Sequence, residues 1–79
     1  MRILMSEIYD GHIIEVQNNS TKCFLCIDGI IQSQYKGIFA FKIEMKAYVD
    51  DVEIKLIVKF GAHLSLYAND KLLKKKFIL

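Results

Sequence analysis

From Ile38 to Phe60 the chain alternates apolar and polar residues, broken once by Asp50-Asp51. Successive side chains of a strand face opposite ways, so this pattern reads as two strands with one buried face each. One face of the first run carries Phe39, Phe41, Ile43, Met45, Ala47 and Val49; that of the second carries Val52, Ile54, Leu56, Val58 and Phe60. A two-residue turn at Asp50-Asp51 sets Val49 opposite Val52, Ala47 opposite Ile54, Met45 opposite Leu56, Ile43 opposite Val58 and Phe41 opposite Phe60. Every rung on that face is apolar, and a slip of one residue would set each against a polar partner. The other face sets Lys46 against Lys55 and Lys42 against Lys59, with Glu44 and Glu53 on the diagonals. Such pairs contribute only ~0.2–1 kcal/mol each, so the apolar face decides the register.

The same punctuation recurs at Asp10-Gly11, Asp28-Gly29 and Asn69-Asp70. Asp-Gly suits a type I′ hairpin turn, whose two central residues both need positive φ. Asn18-Asn19-Ser20, Tyr35-Lys36-Gly37 and Gly61-Ala62 read as further connections. The chain divides into about eight strands, near 2–9, 12–16, 21–27, 30–34, 38–49, 52–60, 63–68 and 71–78, of which the first also reads as a helical turn or an irregular arm. The expected fold is all-β: an antiparallel meander forming a small β-sandwich or flattened barrel. Residues 24–31 and 65–72 echo each other as strand, turn, strand.

At 79 residues the chain makes a single domain, 1–79, that buries only ~60–65% of the surface its unfolded form exposes. Yet 53% of its residues are apolar, so some apolar side chains stay exposed or are covered by a second subunit. A homodimer is the expected state. A net charge of +2 is too small to argue for nucleic acid. No apolar run is long enough for a membrane helix. Met1-Arg2-Ile3-Leu4-Met5 is interrupted by Ser6-Glu7 and Asp10 before a secretory core can form. A cytoplasmic protein without a membrane partner is expected.

The order of elements resembles the repeat domain of the Fas apoptosis inhibitory molecule family. The resemblance is carried by Asp10-Gly11-His12-Ile13-Ile14-Glu15-Val16, Ser20-Thr21-Lys22 and Leu25-Cys26-Ile27-Asp28-Gly29. It continues through the 39–58 hairpin and Leu64-Ser65-Leu66-Tyr67-Ala68-Asn69-Asp70-Lys71. It implies an antiparallel β-sandwich of consecutive hairpins. The chain lacks that family's tryptophan and has Asn-Asp at the final turn, and no functional residue is carried over.

Cys23 and Cys26 form C-x-x-C, but no second such pair or spaced histidine pair accompanies them. On a strand, positions three apart face opposite sides. Structural thiols are expected, with no metal or other cofactor. His12 and His63 each follow a turn, where a solvated histidine is ordinary. Asp50, Asp51 and Glu53 offer too few oxygens for calcium. Phe24, Phe39, Phe41, Tyr35, Tyr48 and Tyr67 match no RNA-binding signature and read as packing residues. Lys71, Lys74, Lys75 and Lys76, followed by Phe77-Ile78-Leu79, mark the candidate interaction surface. The lysines protect an edge strand against aggregation or meet an anionic partner, and the apolar tail suggests docking into the core or onto a second subunit. The expected function is a non-enzymatic protein–protein interaction module. The alternative is a nucleic-acid or anionic-surface binder using the C-terminal lysine strand.

Overall fold

The computed structural model describes residues 2–19, 21–36, 42–60 and 62–77. They form eight strands: β1 (Arg2–Tyr9), β2 (His12–Asn18), β3 (Lys22–Ile27), β4 (Ile30–Lys36), β5 (Lys42–Val49), β6 (Val52–Lys59), β7 (His63–Ala68) and β8 (Lys71–Phe77). Two four-stranded antiparallel sheets result, ordered β1-β2-β3-β4 and β5-β6-β7-β8, each a meander in chain order. The expected all-β sandwich is the observed architecture, and the sheets do not close into a barrel. β1 forms as a full strand, while β2 and β4 run two residues further than their turn signals suggested.

The central hairpin has the register read from its pattern: Val49 pairs with Val52, Ala47 with Ile54, Met45 with Leu56 and Ile43 with Val58. β5 alternates exposed and buried residues along its whole length. Phe41 lies outside the described residues. Phe60 departs from expectation. Strand β6 ends at Lys59, and Phe60 takes a left-handed φ of 55° and is 65% exposed. A left-handed residue turns the chain out of the pleat, so its side chain no longer follows the alternation.

One core joins the sheets. Leu4, Met5, Ile14, Val16, Leu25 and Ile27 from the first pack with the buried face of the second, centred on Ile54, Leu56, Leu64 and Leu66. Each such side chain contributes roughly 1.5–3 kcal/mol on burial. Leu4 and Met5 are both buried because a bulge between Ile3 and Met5 lets two consecutive residues of β1 face inward. No polar or charged side chain is buried among the described residues.

Three turns have positive φ at both central positions: Asp10 and Gly11, Asp28 and Gly29, Asn69 and Asp70. That is the type I′ pattern. At the fourth only Asp50 is left-handed, at 53°, as in a type II′ turn.

The sequence echo is a structural repeat. Asp28 donates its backbone N–H to the Ile13 carbonyl at 2.8 Å, and its Oδ1 accepts from the Ile13 N–H at 2.9 Å. Asn69 does the same to Glu53, at 2.9 and 3.0 Å. In each sheet the third hairpin turn is thereby latched to the neighbouring strand. The β3–β4 ladder slips between Leu25 and Cys26, and the β7–β8 ladder slips between Leu66 and Tyr67. Gln32 and Leu73 are the extra residues, at matching places in the two sheets.

Leu56 is fully buried at the centre of the core. Leu56→Ala should cost roughly 2–5 kcal/mol in urea denaturation; a loss below about 0.5 kcal/mol would be that of a surface position. Asn69→Ala removes a latch and places alanine at a left-handed φ of 46°. It should cost about 1–2 kcal/mol by the same measurement.

Candidate interaction surfaces

Four strands are sheet edges: β1, β4, β5 and β8. An edge presents unpaired backbone groups to any other strand, and charged side chains discourage that pairing. β1 carries Arg2 and Glu7, β5 carries Lys42, Glu44 and Lys46, and β8 carries Lys71, Lys74, Lys75 and Lys76. β4 differs. From Ile30 to Tyr35 it has no charge and no proline, and every residue but Ser33 is exposed. Its apolar residues are 64% (Ile30), 49% (Ile31) and 37% (Tyr35) exposed.

The residues singled out at the C-terminus do not form one surface. The bulge at Leu73 shifts the phase of β8 by one residue. Lys74 and Lys76 pair with Leu66 and Leu64, on the core side of the sheet edge. Lys75 and Phe77 pair with Ser65 and His63, on the outer side, and Lys71 sits beside the turn opposite Ala68. Lys74 Nζ donates to the Ser6 carbonyl at 2.9 Å, tying the β8 edge to the β1 edge. Phe77 does not dock into the core; it is 55% exposed and lies against the His63 ring, centroids 4.6 Å apart and tilted by 45°. Ile78 and Leu79 lie outside the described residues.

The outer face of the second sheet gathers charges that lie far apart in sequence. Lys42 pairs with Lys59, Lys59 with His63, and His63 with Phe77, one row across four strands. The next row is Glu44, Ile57, Ser65 and Lys75, and the next Lys46, Lys55, Tyr67 and Leu72. Lys46 and Lys55, themselves opposed, meet carboxylates: Lys46 Nζ lies 3.9 Å from Glu53 and Lys55 Nζ lies 3.1 Å from Asp70. Each pair keeps one well-exposed partner, Lys46 and Asp70, and contributes little. The Asp70 carboxylate raises the Lys55 pKa. Sequence reasoning named the Lys42–Lys59 opposition but not its continuation onto His63 and Phe77, which needs the β6–β7 and β7–β8 registers.

The outer face of the first sheet is more apolar. Ile8 pairs with Ile13 and Cys26 with Ile31. Phe24 and Cys26 face outward yet are buried, between neighbours from β2 and β4 that include Glu15, Gln17 and Gln34. Cys23 faces the other way and packs half-buried against the core. The two thiols thus lie on opposite faces. Burial pushes both pKa values up, which holds the thiols protonated and unreactive at neutral pH. Among the described residues no three His, Cys, Asp or Glu side chains are grouped to hold a metal ion. None forms a helix long and apolar enough to cross a membrane.

His12 Nδ1 lies 2.6 Å from Asp28 Oδ2, on the carboxylate whose other oxygen latches Ile13. The Asp28 hydrogen bond raises the His12 pKa above 6.5. The Ile13 N–H and the imidazole lower that of Asp28 below 3.8. Both groups are solvated, so the pair trims a turn rather than forming a reactive centre. No family model matches the chain, and neither a curated protein nor a solved structure does.

The raised His12 pKa stabilises the fold fully below about pH 6.5, and that contribution is lost as pH rises through the higher folded value. The Asp28 contribution is present above about pH 3.8 and lost as pH falls through its lower folded value. The stability difference between the natural chain and His12→Asn should therefore be largest between about pH 4 and 6 and shrink above about pH 7. A urea denaturation series across pH checks this; a flat difference would mean that the two groups are uncoupled.

Proposed function

We propose that the protein is a non-enzymatic interaction module that works as a homodimer, a second copy pairing with it along β4. The carrying observation is the contrast among edges: β4 has the longest uncharged stretch of the four described edges, Ile30–Tyr35, and it carries exposed isoleucine and tyrosine. Strand addition supplies main-chain hydrogen bonds, and flanking side chains supply specificity.

The strand is self-complementary. Two copies of β4 running antiparallel about a twofold axis between Gln32 and Ser33 set Ile30 opposite Tyr35 of the partner subunit. Ile31 meets Gln34 of the partner subunit. The bulge at Gln32 keeps both pairs on matching faces, because Ile30 and Tyr35 follow the core side while Ile31 and Gln34 follow the outer side. A β-branched residue opposite an aromatic one is a favourable cross-strand pair. A twofold interface needs such a self-matching patch. The exposed apolar excess supports the same reading.

Sedimentation equilibrium should give a dimer at micromolar concentration. Charges placed on the edge by Ile30→Lys with Gln34→Lys should return the monomer with an unchanged circular dichroism spectrum, whereas Asp51→Lys at a hairpin tip should leave the dimer intact. A natural chain that stays monomeric at every concentration tested would refute the homodimer.

A further inference from the structure

We propose that the outer face of the second sheet binds single-stranded nucleic acid, with phosphates on Lys42, Lys59 and Lys75 and a base against the His63–Phe77 rings. This surface lies in the sheet that does not contain β4, and the inference does not depend on dimerisation.

The first ground is unmet charge. Like charges directly opposite each other destabilise a sheet. This ladder has two such rungs, Lys42–Lys59 and Lys46–Lys55. The second is relieved by Glu53 and Asp70. Lys42, Lys59 and Lys75 form no ion pair among the described residues. Glu44 lies on the diagonal from Lys59 without forming an ion pair, and two lysines held opposite each other at a local cost to stability favour an anion between them. A phosphate, with Lys75 one row away, is such an anion.

The second ground is the ring surface at the end of the lysine row. His63 and Phe77 are both exposed and lie against each other. Beside them a shallow cavity of about 200 Å³ is lined by His63, Leu64, Ser65, Lys75, Lys76 and Phe77. Cationic side chains that track a backbone, with an aromatic platform at their side, are the two parts that bind unpaired nucleotides without reading their order. A duplex hides its base faces and cannot use the rings.

The shape of the charge distribution favours a strand over a membrane. A flat anionic surface would meet the whole face, including Glu44 and Glu53. A single strand is narrow and follows the carboxylate-free row from Lys42 to Phe77. Phosphate and base together specify a nucleotide polymer rather than a simple anion.

Anisotropy titration of the full chain with short labelled oligothymidylate and oligouridylate, over a range of salt, tests the proposal. Binding should weaken as salt rises. Replacing both Lys42→Gln and Lys59→Gln should lower the log–log salt slope by roughly 1.4, about 0.7 for each lost phosphate contact. Phe77→Ala should weaken binding roughly fivefold or more with the slope unchanged. Should Phe77→Ala unfold, His63→Ala reads the same platform. Lys36→Gln, on the other sheet, should change neither quantity. No binding at low salt overturns the proposal. So does displacement by inorganic polyphosphate at equal charge with no effect of Phe77→Ala, which would reveal a plain anion surface. Binding to phosphatidylserine vesicles but not to oligonucleotide would assign the face to a membrane and equally overturn it.

Discussion

Neither sheet can stand alone, because each has one apolar face that only the other sheet covers. In the second sheet Ile54, Leu56, Leu64 and Leu66 are almost wholly removed from water, and Ile14, Val16 and Leu25 answer them from the first. Alternation in sequence thus becomes a dry layer between two sheets. Everything else follows from the need to keep those faces opposed. The registers preserve the inward set. The bulges adjust it where two strands fall out of phase. The latches at Asp28 and Asn69 hold the turns square to their neighbours. Small domains have little core to spare, so one truncation at the centre is felt by the whole.

The two halves solve the same problem with the same parts and then diverge at their surfaces. Each is a four-stranded meander, with a latch at the third turn and a bulge in the last ladder. On that shared frame the first half ends in an edge strand with a single lysine, at its end, and the second in one with four lysines. The bulge has a separate consequence in each. At Gln32 it sets the faces of the exposed, uncharged stretch from Ile30 to Tyr35. At Leu73 it sends Lys75 and Phe77 outward and leaves Lys74 and Lys76 at the core side. One extra residue decides which half of a lysine run faces outward.

Much of this was legible in the sequence, and the limits were physical. The rungs from Ile43–Val58 to Val49–Val52 were readable because two strands and a short turn leave one register that keeps apolar residues together. Asp10-Gly11 and Asp28-Gly29 announced their turns; Asn69-Asp70 did so more faintly, since neither residue is glycine, yet it adopts the same geometry. Phe60 was misplaced because alternation does not reveal where a chain leaves the pleat. A bulge has no clear signature in a run such as Lys74-Lys75-Lys76, so the sequence does not show which of these lysines faces outward. The latches and the row from Lys42 to Phe77 join residues from different hairpins, and no single stretch of sequence contains them.

Every ladder joins strands that are neighbours in the chain. For folding this means that hydrogen bonding requires only short loops to close, and loop closure is the entropic step that slows most β proteins. Each half can zip along its own meander from turn to turn. Among the described residues, the distant encounter is the meeting of the two finished sheets. The late step is then a collision of apolar faces rather than a search for strand partners. The same arrangement leaves the chain indifferent to whose second sheet it meets, since a half from another copy offers an identical face.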